Sequence, residues 1–203
     1  MANTNTNVQE QAAPKKEAIV LEQQYIELYE QHSETIRKHS ASALNIGRDK
    51  AFEKFRELGF PTPRVENYKY TDLREPLTVD YGLNIKRMNI PVNPYEVFKC
   101  DVPGISAYLY FVVNDAFYPV NYEKNKSLPE GVVITSLRKA SEEYPELVEK
   151  HISKLAEKHV DGMIAFNGAF AQDGFFIYVP KNVLLDHPIQ IINIMRSDVD
   201  FMA

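Results

Sequence analysis

Residues 172–194, QDGFFIYVPKNVLLDHPIQIINI, decide the fold of this chain. Three short apolar runs lie within this stretch, at positions 175–179, 183–185 and 189–194, with turn-forming residues between them. Short runs rich in Ile, Val, Phe and Tyr that are bounded by Gly, Pro, Asn and Asp are typical of β-strands. The gaps between the runs hold three residues each, which is too short for a crossover helix, so the strands do not form βαβ units.

Two arrangements of these strands remain open. One is a tight meander, and the other is a single coil of a β-solenoid, in which each strand pairs with the coil stacked on it. A solenoid buries its core only with roughly three or more stacked repeats, and the sequence holds no second copy of the pattern. The coil hypothesis therefore predicts that this chain is the front part of a longer protein. It also predicts an unpaired edge on strand 189–194, through which two chains would dimerise unless a local rearrangement covers it.

Length and composition narrow the class of protein. The chain has 203 residues, of which 44% are hydrophobic and 25% are charged, as in ordinary soluble globular proteins. A formal net charge of −5 argues against a nucleic-acid surface. The single cysteine, Cys100, cannot form an internal disulfide and fits a reducing compartment. With no secretory signal and no apolar stretch near the roughly 18 residues of a membrane span, we predict a cytoplasmic protein.

The first third of the chain predicts two helices. Residues 1–16 are polar and are expected to form a disordered tail. From Ala18 to Ile36, apolar residues recur every three or four positions, which indicates an amphipathic helix. A second helix places Phe52, Phe55 and Leu58 on one stripe and ends at Gly59, which suits a left-handed cap. The two helices predict a hairpin whose apolar face rests on another element.

The segment at residues 63–77, PRVENYKYTDLREPL, carries an aromatic and basic cluster. Tyr68 and Tyr70 are two positions apart, so in an extended segment they point the same way. One hypothesis is that Tyr68, Lys69, Tyr70 and Arg74 stack a base or a sugar. The other is that the tyrosines clamp the helical hairpin to the next domain, with their hydroxyl groups near water. The acidic net charge favours the clamp.

The middle of the chain predicts short strands followed by short helices. A hairpin is expected with its tight turn at Asn114–Asp115. Ser136 is predicted to cap a short helix, and Pro145 to begin the next one. Val148, Ile152 and Leu155 are expected on one face of that helix. The predicted ranges are strands at 107–113, 117–122 and 132–135, helices at 137–144, from Pro145 up to Asp161–Gly162, and at 163–170.

Few residues indicate a catalytic, metal or cofactor site. The sequence has no glycine-rich phosphate loop, no G-x-S-x-G motif, no H-E-x-x-H motif and no Cys/His spacing for zinc. His151 and His159 lie eight residues apart on a predicted helix and are assigned to the surface. His187, beside Asp186, is either half of a titratable pair or part of a turn, and the turn is favoured. We predict no catalytic, metal or cofactor site and no enzyme activity; Cys100 is interpreted as a small apolar side chain.

Three segments of the sequence, which occur in the same order as in the SufD family, resemble that family. Residues 59–73, GFPTPRVENYKYTDL, are similar to the family's N-terminal pattern, with Tyr68 where many members have Trp. Residues 110–115, YFVVND, resemble its hairpin, and residues 165–189 resemble its "LN.A…DG..I.VP…PI" pattern. The signature residues, which we predict to be structural, are Tyr68, Tyr70, Thr71, Leu73, Asn114, Asn167, Asp173, Gly174, Pro180 and Pro188.

The resemblance implies a role in the SUF machinery for iron–sulfur cluster assembly. SufD-like proteins pair with a paralogue, SufB, and with an ABC-type ATPase, SufC. Their fold is a helical N-terminal region, a central right-handed parallel β-helix and a C-terminal helical region that docks the ATPase. The family's docking and SufB-interface residues are expected outside this chain. No cluster ligand is therefore assigned, and an iron–sulfur cluster is expected only at the level of the complex.

The expected fold is α+β: a helical hairpin, a small region of hairpin and helices, and the first coil of a truncated right-handed parallel β-helix. The expected function is a non-enzymatic scaffold subunit that acts with SufB-like and SufC-like partners. The alternatives are a stand-alone protein-interaction module and a β-solenoid enzyme with His187 or His151 as base. The expected domains are residues 1–16 (tail), 17–77 (helical), 78–160 (mixed) and 161–203 (start of the β-helix).

Overall fold

The fold is known from a computed structural model that describes residues 15–77, 82–88, 91–98, 107–114, 116–118, 128–158 and 161–195. The helices in these ranges are α1 (Lys15–Lys38), α2 (Arg48–Leu58), α3 (Arg74–Leu77), α4 (Pro94–Val97), α5 (Leu137–Glu143), α6 (Pro145–His151) and α7 (Gly162–Phe170). The strands are β1 (Tyr108–Val113), β2 (Ala116–Phe117), β3 (Val133–Ser136), β4 (Phe175–Tyr178) and β5 (Ile189–Ile194). This mixture confirms the α+β class.

The two predicted N-terminal helices exist, and α7 is the element on which they rest. The ring of Tyr29 on α1 stacks on Phe52 of α2 with their centroids 4.0 Å apart. Tyr25 of α1 meets Phe166 of α7 edge to face at 5.0 Å. Aromatic pairs of this kind add to the free energy of burying their apolar area. The helical layer is therefore held by an aromatic core that all three helices share.

Two details at the ends of the N-terminal helices differ from the prediction. Helix α1 already begins at Lys15, while residues 1–14 of the predicted tail lie outside the described residues. Leu58, predicted on the buried stripe, is exposed. The chain turns at Gly59, whose φ is +62°, and Phe60 enters the aromatic core in its place. The expected glycine at the end of α2 is thus confirmed, and the buried stripe of α2 ends at Phe55, three positions before the predicted Leu58.

The predicted start of α5 and α6 is confirmed, but the predicted length of α6 is wrong. The Ser136 hydroxyl accepts the backbone N–H of Lys139 at 3.1 Å, and Pro145 is the first residue of α6. Helix α6 ends at His151, and Ser153 has a φ of +61°. Val148 is buried, whereas Leu155 is largely exposed, because the helical period ends before it reaches residue 155.

Asp161 and Gly162 begin α7 and do not end the helix before it. The Asp161 carboxylate accepts the N–H of Ile164 at 2.8 Å, which is the usual role of aspartate at a helix start. Gly162 packs on the turn after α2 so closely that a Cβ atom there would lie 1.7 Å from the Gly59 carbonyl oxygen. The predicted helix at residues 163–170 is confirmed with one more residue.

The strands form two small sheets. In the first, β1 pairs in parallel with β5, from Tyr108 opposite Ile189 to Val113 opposite Ile194, and antiparallel with β2. In the second, β3 pairs antiparallel with β4. Because β4 and β5 lie in different sheets, they do not form a meander. Residues 119–122 of the predicted return strand lie outside the described residues.

The predicted strand at residues 183–185 is not a strand in the structure. A turn precedes it, in which Asn182 has a φ of +66°. Val183 and Leu185 pack into the core beside β1, whereas Leu184 is 87% exposed. The side chains alternate as they would in a strand, but no neighbouring strand in the described part of the chain supplies the hydrogen bonds.

The close approach at Gly162 gives a test of the helical layer. Gly162→Ala should lower the free energy of unfolding by about 3 kcal/mol or more, since the added methyl group meets a backbone oxygen that cannot move aside. Gly47→Ala is the matched control: its Cβ would meet only Ser153 Oγ, at 3.8 Å. It should change stability by less than about 1 kcal/mol. Urea unfolding of both variants measures the difference, and equal stability would contradict this arrangement of α2 and α7.

Candidate functional site

The most distinctive surface is the outer edge of the two sheets. Tyr108, Tyr110 and Ile134 form a buried core between the sheets, and half-buried Phe175 and Ile189 pack against it. Ile177 and Ile191 are the next residues on the same faces of β4 and β5, yet they are 42% and 45% exposed. Within the described residues, β4 and β5 each end their sheet. We call these two outer strand edges, with Ile177 and Ile191, the open edge.

Two signature residues bracket the parallel pairing of β1 with β5. At its start, the Tyr108 N–H donates to the Pro188 carbonyl at 2.9 Å. At its end, the Asn114 N–H donates to the Ile194 carbonyl at 2.8 Å. Asn114 has a φ of +53°, a left-handed conformation that asparagine tolerates better than most residues. Both residues therefore fix the register of β5.

The turn before β5 contains the predicted pair of Asp186 and His187. His187 Nε2 lies 3.3 Å from Asp186 Oδ2, and Asp186 Oδ1 accepts the Tyr108 hydroxyl at 2.7 Å. The hydrogen bond to Asp186, followed by burial, raises the pKa of Tyr108 above its ordinary value. The Asp186 carboxylate therefore contacts the histidine and also fastens the turn to β1, which agrees with the favoured role of these residues in a turn.

Gln172 fastens the helical layer to the start of β4. Its buried amide donates to the carbonyl groups of Ile36, at 3.3 Å, and Ile85, at 2.9 Å. Its own backbone carbonyl accepts the N–H of Ala41 at 2.7 Å. One side chain therefore joins the end of α1, the segment at residues 82–88 and the chain that leads into β4.

Asp173 and Gly174, two signature residues, tie this junction to α5. Asp173 Oδ1 accepts the backbone N–H of Arg138 at 2.9 Å, near the start of α5. Its other oxygen lies 3.7 Å from the guanidinium of Arg87. The Gly174 carbonyl accepts the N–H of Leu137 at 2.8 Å. A carboxylate at a helix start satisfies N–H groups that have no partner within the helix.

Arg48 is the strongest polar anchor, and sequence reasoning missed it. Its side chain is fully buried, at 0% exposure, and it donates to the carbonyl groups of Ala169 and Ala171 and to the Ser40 hydroxyl. Those carbonyl groups lie at the end of α7, where the helix dipole is negative. Burial lowers the pKa of Arg48 to about 10, so it stays charged at neutral pH.

A sequence signal for Arg48 does exist. It is the first residue of α2, where a cation opposes the helix dipole and is locally unfavourable. A basic residue at that position points to a partner elsewhere in the fold. The nearest local partner, Asn45, accepts from Arg48 Nε at 2.9 Å and does not carry a charge.

The two signature tyrosines point in different directions, which contradicts the prediction. Tyr68 ends the short helical turn Glu66–Tyr68, so the segment is not extended there. Its hydroxyl donates to Asp161 Oδ2 at 2.8 Å, and burial followed by this bond raises its pKa. Tyr70 is 92% exposed, with Lys69 Nζ 5.5 Å from its ring centroid. Tyr68 therefore clamps α7 as expected, and base stacking by Tyr70 stays a hypothesis.

The remaining predicted residues are dispersed. The Thr71 N–H donates to the Tyr68 carbonyl at 2.9 Å, and the Leu73 carbonyl accepts from Leu77 at 3.3 Å. Asn167 is exposed on α7, and the Pro180 carbonyl accepts the N–H of Val183 at 3.2 Å in the turn after β4. The signature thus marks several separate junctions and not one cluster.

Around the predicted histidines, the described part of the chain shows no cluster of potential metal ligands. His151 is exposed at the end of α6, while His159 and Cys100 lie outside the described residues. Among the residues that the structure does describe, no three His, Cys, Asp or Glu side chains are grouped to hold a metal ion. The described helices also include none that is long and apolar enough to cross a membrane.

Comparison with known proteins identifies the family. The family described as "SufBD protein N-terminal region" matches residues 19–191. The iron–sulfur cluster assembly protein SufD of Bacillus subtilis is 28% identical over 173 residues, covering 79% of this chain and 37% of that protein. The SufBD family protein ycf24 of Trieres chinensis is 33% identical over 170 residues, covering 79% of this chain and 35% of that protein. No solved structure matches.

This chain therefore belongs to the SufBD family, and it corresponds to the family's N-terminal region. The resemblance drawn from the three sequence segments is confirmed. The chain spans about a third of the length of the two relatives named above. All ten signature residues lie within the matched range.

Loss of the Arg48 anchor should be severe. Arg48→Met keeps most of the side-chain volume but leaves buried carbonyl groups without donors, so the free energy of unfolding should fall by at least about 3 kcal/mol. Arg56→Met is the control, since Arg56 lies on the same helix but pairs with glutamates at the surface. It should cost less than about 1 kcal/mol. Chemical denaturation measures both, and a mild effect at Arg48 would refute its role as anchor.

The raised pKa of Tyr108 predicts a loss of stability at alkaline pH. The unfolded tyrosine loses its proton near about pH 10, before the folded one, so the contribution of Tyr108 to stability should be constant below that pH and fall above it. Tyr108→Phe should reduce the slope of this fall, whereas Tyr70→Phe, at an exposed position, should not. Unfolding curves at a series of pH values test this, and identical slopes for Tyr108→Phe and the parent chain would contradict the Asp186 contact.

Proposed function

We propose that this chain is the N-terminal part of a non-enzymatic scaffold subunit in iron–sulfur cluster assembly. The observation that carries the proposal is the family match over residues 19–191. The relatives from B. subtilis and T. chinensis are both named for iron–sulfur cluster assembly.

The open edge begins a right-handed parallel β-helix in this proposal. The in-register parallel pairing of β1 with β5 supports it, because stacked coils of a solenoid pair in this way. The in–out–in alternation at residues 183–185 fits a third side of the same coil. Right-handedness follows from the strong preference of crossovers between parallel strands. The next coil would pair with β4 and β5 and would bury Ile177 and Ile191.

The helical layer acts as a fixed lid on this first coil. Arg48 and Gln172 hold α1, α2 and α7 together, and Gln172 leads directly into β4. In the proposed complex the subunit pairs with a SufB-like paralogue and a SufC-like ABC ATPase. Their contacts lie mostly in the part of the relatives that this chain does not span. The cluster belongs to the complex, and this region binds no cofactor itself.

Co-purification tests the function. The full-length protein, expressed with SufB-like and SufC-like proteins, should retain both on an affinity column. The 203-residue chain should retain no ATPase. Recovery of neither partner by the full-length protein would refute the scaffold role.

The same substitution made in two proteins of different length tests the β-helix separately from the function. The quantity measured is the free energy of unfolding, by urea denaturation. Ile191→Asp should destabilise the full-length protein by about 2 kcal/mol or more, because the residue would be buried under the next coil. In the 203-residue chain, where it is half exposed, the loss should be under about 1 kcal/mol. Leu184→Asp, exposed in both, is the control. Equal effects of Ile191→Asp in the two proteins would contradict a stacked coil.

A further inference from the structure

A cleft lies between α2, α7 and the turn Ala156–Lys158. Its volume is about 390 Å³, within the roughly 300–1,000 Å³ range of small-molecule sites. Apolar and small residues form its walls. They are Leu44, Gly47, Ala51, Ile164, Ala165 and Gly168.

The cleft exists because several of the residues around it are small. Gly47 has a φ of −104°, which any residue adopts, and a Cβ atom there would meet only Ser153 Oγ at 3.8 Å. The backbone therefore does not require glycine at this position. Protein interiors contain few voids larger than a water molecule. A cleft of this size, with room left by a replaceable glycine, is suited to hold a ligand.

The charged residues at the cleft are two lysines and one glutamate. Lys50 Nζ lies 3.4 Å from Glu157 Oε1, and Lys54 Nζ lies 2.8 Å from Glu57 Oε2, which is outside the cleft. All four side chains are at least 41% exposed. Exposed ion pairs contribute only about 0–1 kcal/mol, so a ligand can exchange with them. The lining residues thus carry one net positive charge beside an apolar cavity.

We propose that this cleft binds a small amphipathic carboxylate. The alkyl chain lies against Leu44, Ala51 and Ile164, and the carboxylate contacts Lys50 and Lys54. In doing so it replaces Glu157 as the partner of Lys50. This inference is independent of the iron–sulfur proposal, since it concerns neither the open edge nor a cluster.

Calorimetric titration of the 203-residue chain with three probes of equal chain length tests the proposal. Octanoate should bind most tightly, 1-octanol more weakly and octylammonium most weakly, because only octanoate matches both the apolar walls and the lysines. Absence of saturable octanoate binding would overturn the proposal. Equal binding of the three probes would also overturn it, since the cleft would then have no charge preference.

Variants of the charged residues distinguish the contribution of the lysines to octanoate binding from the contribution of the apolar walls. Lys50→Ala with Lys54→Ala should weaken octanoate by about two- to fivefold and leave 1-octanol unchanged. Glu157→Gln should strengthen octanoate, because it removes the competing carboxylate. Lys139→Ala is the matched control on α5, where Lys139 forms an exposed pair with Glu143. An unchanged octanoate affinity in both cleft variants would overturn the assignment of the carboxylate.

Variants that place a larger side chain in the cleft test whether octanoate binds there. Gly47→Leu should abolish binding of octanoate and 1-octanol, and Ala156→Leu, at the exposed rim of the cleft, should do the same. The second variant keeps the test decisive if the first unfolds, as judged by circular dichroism. Normal octanoate binding in a folded filling variant would place the ligand elsewhere and overturn the proposal.

Discussion

The parallel pairing of β1 with β5 is the constraint on which the rest of the fold depends. Two parallel neighbours cannot be joined by a hairpin, so the chain between them must travel back before it pairs. Helices α5, α6 and α7 and strands β3 and β4 all lie on this connection. Backbone bonds from Tyr108 to Pro188 and from Asn114 to Ile194 fix the two ends of the pairing. A contact so distant in sequence forms slowly and is determined by tertiary structure.

The helical layer fixes the position of the chain that leads into β4 and then into β5. Arg48 is a buried cation whose charge is balanced by carbonyl groups at the end of α7. Gln172 then joins the end of α1 to the chain that becomes β4. Buried polar groups are tolerated only where they are hydrogen-bonded, so these contacts specify one arrangement of the helices. The consequence is that the first strand of the proposed coil leaves the helices in a defined direction.

Local signals predicted much of this fold, and tertiary contacts decided the rest. Ser136, Pro145 and Gly59 act on backbone groups within a few residues of themselves, so their roles could be inferred from sequence. Residues 183–185 have the pattern of a strand but lack a neighbour, and no local property reveals that. The partners of Asp173 and Pro188 are remote in sequence, so their importance was visible only as a resemblance. Arg48 was missed because its acceptors are backbone carbonyl groups of another helix.

Hydrogen exchange along β5 tests the central claim most directly. The bonds at Pro188 and Ile194 set the alternation of a parallel ladder, so the N–H groups of Ile192 and Ile194 point to β1 and those of Ile191 and Asn193 point outward. At concentrations low enough to keep the 203-residue chain monomeric, the outward pair should exchange freely while the inward pair is protected. In the full-length protein, Ile191 and Asn193 should become protected as well. Protection of all four in the short chain, or free exchange of the outward pair in the full-length protein, would contradict the account.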